Sequence, residues 1–163
     1  MTALLGGIAM YYFQEFHFYE EIKATGADDV QMTLLVTDQP EAILYENFRA
    51  IDADSSPIRY RACFTTTMSH PMLTETYVAY DKAVPLVAPK QFDCFNAKEI
   101  GLAIEQGKAL AFMGTENFHY GIDRVVAVME DGRGFVWHQI NHCGEKAFDG
   151  LPVPEDCPPL PEK

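Results

Sequence analysis

Cys63, Cys94, Cys143 and Cys157 are the residues of this chain with the most chemistry to offer. They form an even set with no CxxC pair, so the spacings of zinc ribbons and thioredoxin-type redox sites are missing and disulfides are the expected use. Three connectivities are open to such a set. The pairing expected here joins Cys63 to Cys94 and Cys143 to Cys157. The second bridge has a local argument: Pro152, Pro154, Pro158, Pro159 and Pro161 crowd the end of the chain, and proline cannot donate to a sheet ladder. A bridge closing a loop of roughly 15 residues contributes about 3 kcal/mol in the chain-entropy picture, enough to hold such a tail. Disulfides persist in oxidising compartments. The competing use is four reduced thiols buried as small apolar side chains in a cytosolic protein.

His138 and His142 stand beside Cys143, a composition that invites zinc. In an extended strand, side chains four apart share a face but stand roughly 13 Å from one another, so both reach one ion only if the chain turns at Asn141. No metal or cofactor is therefore expected. Asp52-x-Asp54-x-Ser56 is the loop most like a calcium site, yet Pro57 and Cys63 stand where an EF-hand needs Gly and Glu. A turn or helix cap suits it better. Asp52, Asp54, Arg59, Arg61, Asp123 and Arg124, with His138 and His142, are the candidates for a polar site; the alternative is a set of caps and ion pairs at sheet ends. Glycine-rich phosphate loops, GxSxG and HExxH are absent from the sequence. His17, His70 and His119 are isolated and receive no role.

The elements that would position these residues are mostly short strands. Gln31–Val36 and Glu41–Tyr45, split by Thr37-Asp38-Gln39-Pro40, suggest a hairpin. Ile58–Thr65 alternates as a half-buried strand whose charged face carries Arg59 and Arg61, and Thr76–Tyr80 is a further strand candidate. Prolines between Val84 and Pro89 imply an edge or loop. A helix begins after Asn96, with Glu99 placed as in a capping box, and stops at Gly107. Ala109–Met113, Arg124–Met129 and Phe135–Ile140 then form a meander, with a tight turn at Asp131-Gly132. Runs of strands with one or two helices give an α+β fold with a mainly antiparallel sheet.

With 163 residues, 48% of them hydrophobic, the chain suffices for one domain with a sizeable core. Its net charge of -12 argues against a nucleic-acid partner. From Met1 to Gln14 there is no charge, and six aromatics fall between Tyr11 and Tyr19. The apolar stretch is shorter than a membrane span and lacks the basic start of a signal peptide. It reads as the exit half of a transmembrane helix followed by an aromatic belt; a core helix or strand is the alternative. The first cation, Lys23, follows three glutamates, which places the rest of the chain away from the cytoplasm. The expected organisation is 1–22 as truncated anchor and aromatic interface segment, 23–151 as the α+β domain, and 152–163 as a proline-rich tail.

Three stretches, FRAIDADSSPIRYRACF at 48–64, YGIDRVVAV at 120–128 and WHQINHCG at 137–144, resemble an uncharacterised bacterial family of small single-pass membrane proteins. The resemblance runs from about Tyr11 onward and implies an N-terminal membrane helix with a domain outside the cytoplasm. It brings no established activity. Such proteins are sometimes labelled histidine kinases, but that activity needs a helical phosphoacceptor hairpin and an ATP-binding domain, and this short, strand-rich chain holds neither. The expected function is a non-catalytic, membrane-anchored periplasmic domain at the bacterial inner membrane, acting in interaction with or scaffolding of a membrane protein. The alternative is a small-ligand or metal-binding protein or enzyme that uses the polar cluster with His138 and His142.

Overall fold

The computed structural model of the chain describes residues 20–22, 29–53 and 58–160. The fold is α+β. Six strands build one antiparallel sheet in the order β1-β4-β5-β8-β7-β6: β1 (Glu20–Ile22), β4 (Glu46–Asp52), β5 (Arg61–Thr65), β6 (Ala109–His119), β7 (Ile122–Met129) and β8 (Arg133–Ile140). A separate hairpin pairs β2 (Gln31–Thr33) with β3 (Pro40–Ala42), as the turn residues between them imply. The anchor proposed for 1–22 lies outside the described residues apart from β1, which pairs antiparallel with β4 at the sheet edge. Among the described residues no helix is long and apolar enough to cross a membrane.

The central strands are covered on both faces. Val126 and Val128 of β7 turn to one side, where Ala62, Phe64, Phe112 and Val136 meet the β2–β3 hairpin through Val30 and Met32. Val125 and Ala127 turn to the other, where Phe135 and Trp137 meet Phe92, Phe95 and Ile100. This corrects the expectation of a half-buried strand at Ile58–Thr65. The strand starts only at Arg61, and residues 61–64 are all buried. Each fully buried large apolar side chain contributes roughly 1.5–3 kcal/mol, and the run from Val125 to Val128 is 0% exposed throughout.

Among the described residues three short helices close the layers, where one or two were expected. α1 (His70–Thr76) is capped by Ser69, has proline in its first turn and buries Leu73. It replaces the start of the strand expected at Thr76–Tyr80, of which only two isolated bridges remain, Tyr77 to Leu34 and Ala79 to Phe112. α2 (Ala97–Glu105) behaves as its sequence demands: Asn96 accepts a hydrogen bond from the Glu99 amide, and Ile100 and Ala103 face the core. Gly107, at φ 73°, supplies the left-handed turn that ends it. α3 (His142–Phe148) is capped by Asn141, whose side chain accepts from the Gly144 amide.

Two segments lack a ladder of their own, and each is tied down covalently. Residues 81–96 run as turns and loop, and Cys94 bonds to Cys63 of β5. Residues 149–160 are also irregular, and Cys157 bonds to Cys143 of α3. Both pairings agree with the expectation from sequence.

Gly134 of β8 stands opposite Phe64 of β5, and the Phe64 ring lies in the space a side chain at 134 would take. Gly134→Ala should therefore cost about 1–3 kcal/mol by overpacking. Adding Phe64→Leu should make the two losses less than additive in a urea-denaturation double-mutant cycle. Additive losses would show that the ring is not the obstacle.

Candidate functional site

The proposed polar residues part company according to the face of the sheet from which they rise. Arg124 of β7 and His138 of β8 are a cross-strand pair, and the Arg124 Nε donates to His138 Nε2 at 3.0 Å. The guanidinium is sandwiched between two rings, 3.9 Å from the centroid of Phe118 and 4.3 Å from that of Tyr60. Tyr60 also stacks on His138, with centroids 5.1 Å apart. The Asp52 charge lies near enough to support the arginine. Among the described residues no carboxylate comes within 4.0 Å of Arg124, so its cation is held mainly by π-faces and a ring nitrogen. Such contacts gain strength as water is removed.

The twist of the β6–β7 hairpin aims Phe118 at this place. The register of β6 shifts between Met113 and Thr115 and again before His119. At Gly114 a Cβ would press on the Arg124 carbonyl, and Asn117 adopts a positive φ of 47°. The bulges turn the end of the strand inward over the sheet, which is how bulges re-aim side chains. His119, given no role from sequence, meets His138 edge-on at 6.4 Å. Tyr60 and Phe118 were missed because aromatic residues in a strand-rich chain read as ordinary core.

Asp123 and Arg61 point to the other face and fasten loops. Asp123 accepts from the Asn117 amide, the Asn141 side-chain amide and the Tyr80 hydroxyl, all between 2.9 and 3.0 Å. Arg61 is 4% exposed and donates to the carbonyls of Ile58, Tyr60, Leu86 and Val87, which moors the proline-bearing loop to the sheet. Its expected place on an exposed charged face is thereby corrected. Paired hydrogen bonds are what a buried charge requires. Arg59 is half-buried beside Tyr60; of the calcium-like loop, Asp52 ends β4 and accepts from the Ala53 amide, while Asp54 and Ser56 lie outside the described residues.

His142 belongs to a third environment. The chain does turn at Asn141, the cap of α3, so His138 and His142 no longer share a strand. The His142 Nε2 lies 2.8 Å from Asp156 Oδ2, 3.7 Å from Cys143 Sγ and 3.5 Å from Cys157 Sγ. The ligand atoms of His142, Cys143 and Cys157 all fall within 4.8 Å of one another. Chemically, the Arg124 cluster holds the guanidinium between π-faces with the Asp52 charge nearby, whereas the His142 corner gathers soft and borderline donors around a disulfide.

Burial pushes the Tyr60 phenol up to about 12, against the pull of Arg124. The folded protein keeps this proton at a pH where the unfolded chain, with a value of 10.0, has lost it. Stability from this group is complete below the unfolded value and is lost as pH rises through the folded one. Across that window Tyr60→Phe should lose about 2–3 kcal/mol less in thermal melts than the parent, because Tyr45, Tyr77 and Tyr80, also raised by burial, titrate in both proteins. Equal alkaline losses in both proteins would assign the effect elsewhere. Arg124→Lys, which keeps the charge but lacks the planar face, should cost about 1–2 kcal/mol by urea denaturation.

No curated protein and no solved structure matches the chain. A match to the family of unknown function DUF6446 extends over residues 30–158. That span takes in every described strand except β1, the Arg124 cluster, both disulfides and the His142 corner. The chain therefore belongs to the DUF6446 family.

Proposed function

We propose that this chain is the extracytoplasmic domain of a membrane-anchored bacterial protein, and that it acts by binding or scaffolding another membrane-associated protein rather than by catalysis. The observation that carries the reading is the pair of disulfides, Cys63–Cys94 and Cys143–Cys157, which account for every cysteine. Such bonds are kept in oxidising compartments and are rare where thiols are held reduced. The uncharged, aromatic leader supports the same address, since it has the composition of a helix leaving a bilayer on the side poor in Lys and Arg.

The polar residues support the non-catalytic half of the reading. Arg61 and Asp123 commit their hydrogen-bonding groups to loop carbonyls, amides and a tyrosine. Arg124 and His138 bond to one another between aromatic rings. These are arrangements that fix backbone, and structural networks of this kind use the same residue types as active sites.

Fusions at the C-terminus of the chain, expressed from its own gene, test the address. An alkaline phosphatase fusion should be active and a green fluorescent protein fusion dark, with both in the membrane fraction. The reverse pattern would overturn the assignment. Sedimentation of detergent-solubilised membranes should place the chain in a complex larger than its own 18.3 kDa. Migration as the free chain would remove the scaffolding role.

A further inference from the structure

The corner formed by the start of α3 and the proline-rich tail has more donors than a structural bridge needs. We infer that Cys143, Cys157, His142 and Asp156 form a thiol-gated zinc site, closed while the bridge is oxidised and able to take a zinc ion once it is reduced. The proposal uses the same bridge as the functional reading above but not the chain's address, so its failure would leave that address standing.

The distances carry the inference. With Zn–N bonds of ~2.0 Å, Zn–O bonds of ~2.0 Å and Zn–S bonds of ~2.3 Å, neighbouring ligands of a tetrahedral ion stand roughly 3.3 to 3.8 Å apart. The His142 Nε2 is 3.5 Å from Cys157 Sγ and 3.7 Å from Cys143 Sγ. Cys157 Sγ is 3.9 Å from Asp156 Oδ1, and His142 Nε2 is 2.8 Å from Asp156 Oδ2. The two nitrogen–sulfur edges of a tetrahedron are thus already close to length, while Asp156 presents a different oxygen to each neighbour and must turn to supply the fourth donor. The sulfur–sulfur edge is not at length, because a covalent bond occupies it. Reduction frees that edge to lengthen.

The donors would stay together after reduction because other bonds hold both sides of the corner. Asn141 caps α3 through the Gly144 amide, and Gly144 packs directly against the Gly121 backbone with no room for a side chain. On the tail, the Cys157 amide donates to the Pro154 carbonyl at 3.0 Å, and the Tyr120 hydroxyl donates to the Pro158 carbonyl at 2.7 Å. A reductant approaches from the Cys157 side, which is half-buried beside the His142 and Asp156 side chains, 58% and 69% exposed, whereas Cys143 is buried.

The step balances with a dithiol as reductant. The Sγ–Sγ bond breaks, two electrons and two protons pass to the protein sulfurs, and the dithiol becomes a disulfide. Zinc then displaces the two thiol protons, which leave to solvent, while His142 ligates through neutral Nε2 and Asp156 as carboxylate. The Cys63–Cys94 bridge has no part in this chemistry. Among the described residues no histidine or carboxylate joins its two sulfurs to make a group of three donors.

The test is cobalt and zinc loading of the 163-residue chain before and after reduction with a phosphine, followed by gel filtration and elemental analysis. The reduced protein should retain a single zinc, and with cobalt should show thiolate charge-transfer and tetrahedral d–d bands; the oxidised protein should show neither. Cys63→Ser/Cys94→Ser should still load when reduced. His142→Ala should lose the tetrahedral spectrum. Zinc retained by the oxidised chain, cobalt bands that survive in His142→Ala, or a reduced chain that takes up no metal would each overturn the proposal. The His142 comparison also separates a built site from metal caught by two thiols on an unfolded chain, because only the built site needs the imidazole.

Discussion

An antiparallel sheet buried on both faces must find two covers, and a chain this short does not have helices enough to supply them. That constraint organises the molecule. One cover is the β2–β3 hairpin with α1, and the other is α2 with the loop of residues 81–96. Loops make poor covers, since their backbone groups need partners and their ordering is entropically costly. Here the loop is fastened at several points: the Cys63–Cys94 bridge, two bonds from Arg61 to the Leu86 and Val87 carbonyls, and the Gln139 side chain, which bonds to Val84 and Lys82. The tail repeats the device on a smaller scale. It is irregular, proline-rich, and tied by Cys157 to the first turn of α3.

The same constraint explains the placement of charge. Strands covered on both sides have no wet face, so every polar residue in them must be satisfied internally or sit at a strand end. Arg61 and Asp123 are satisfied by backbone and side-chain partners. Arg124 and His138 sit at one end of their strands, where aromatic rings from β6 and from the approach to β5 close over them. Arg61 and Asp123, which look like chemistry in the sequence, thus fasten loops to the sheet. Outside the sheet, at the corner of α3 and the tail, the exposed His142 and Asp156 side chains stand beside the Cys143–Cys157 bond, whose Cys143 is buried.

Much of the fold was legible in the sequence, for reasons tied to particular residues. Asn96, Glu99 and Gly107 marked α2 because capping chemistry is local. Asp131-Gly132 marked the β7–β8 turn for the same reason. The proline tail made its disulfide predictable because proline left the segment no sheet ladder to join. Illegible were α1 and α3, each a single short run of seven residues whose apolar spacing is too brief to show a period. The burial of both faces was hidden as well, because it depends on what the distant segments 29–45 and 81–97 cover. The polar candidates were found as residues but not as groups: the parity of each strand position sorts Arg124 and His138 from Asp123 and Arg61. Phe118 reaches Arg124 only through bulges that no propensity foretells.

The central claim is that oxidised sulfur holds the two segments the sheet cannot hold. Peptide mapping of the chain isolated with its thiols blocked at lysis tests it directly. The account predicts that no cysteine is alkylated until reductant is added, and that the unreduced digest contains the linked pairs Cys63–Cys94 and Cys143–Cys157. Four alkylated cysteines in the native protein, or crossed linkages between the two pairs, would contradict it.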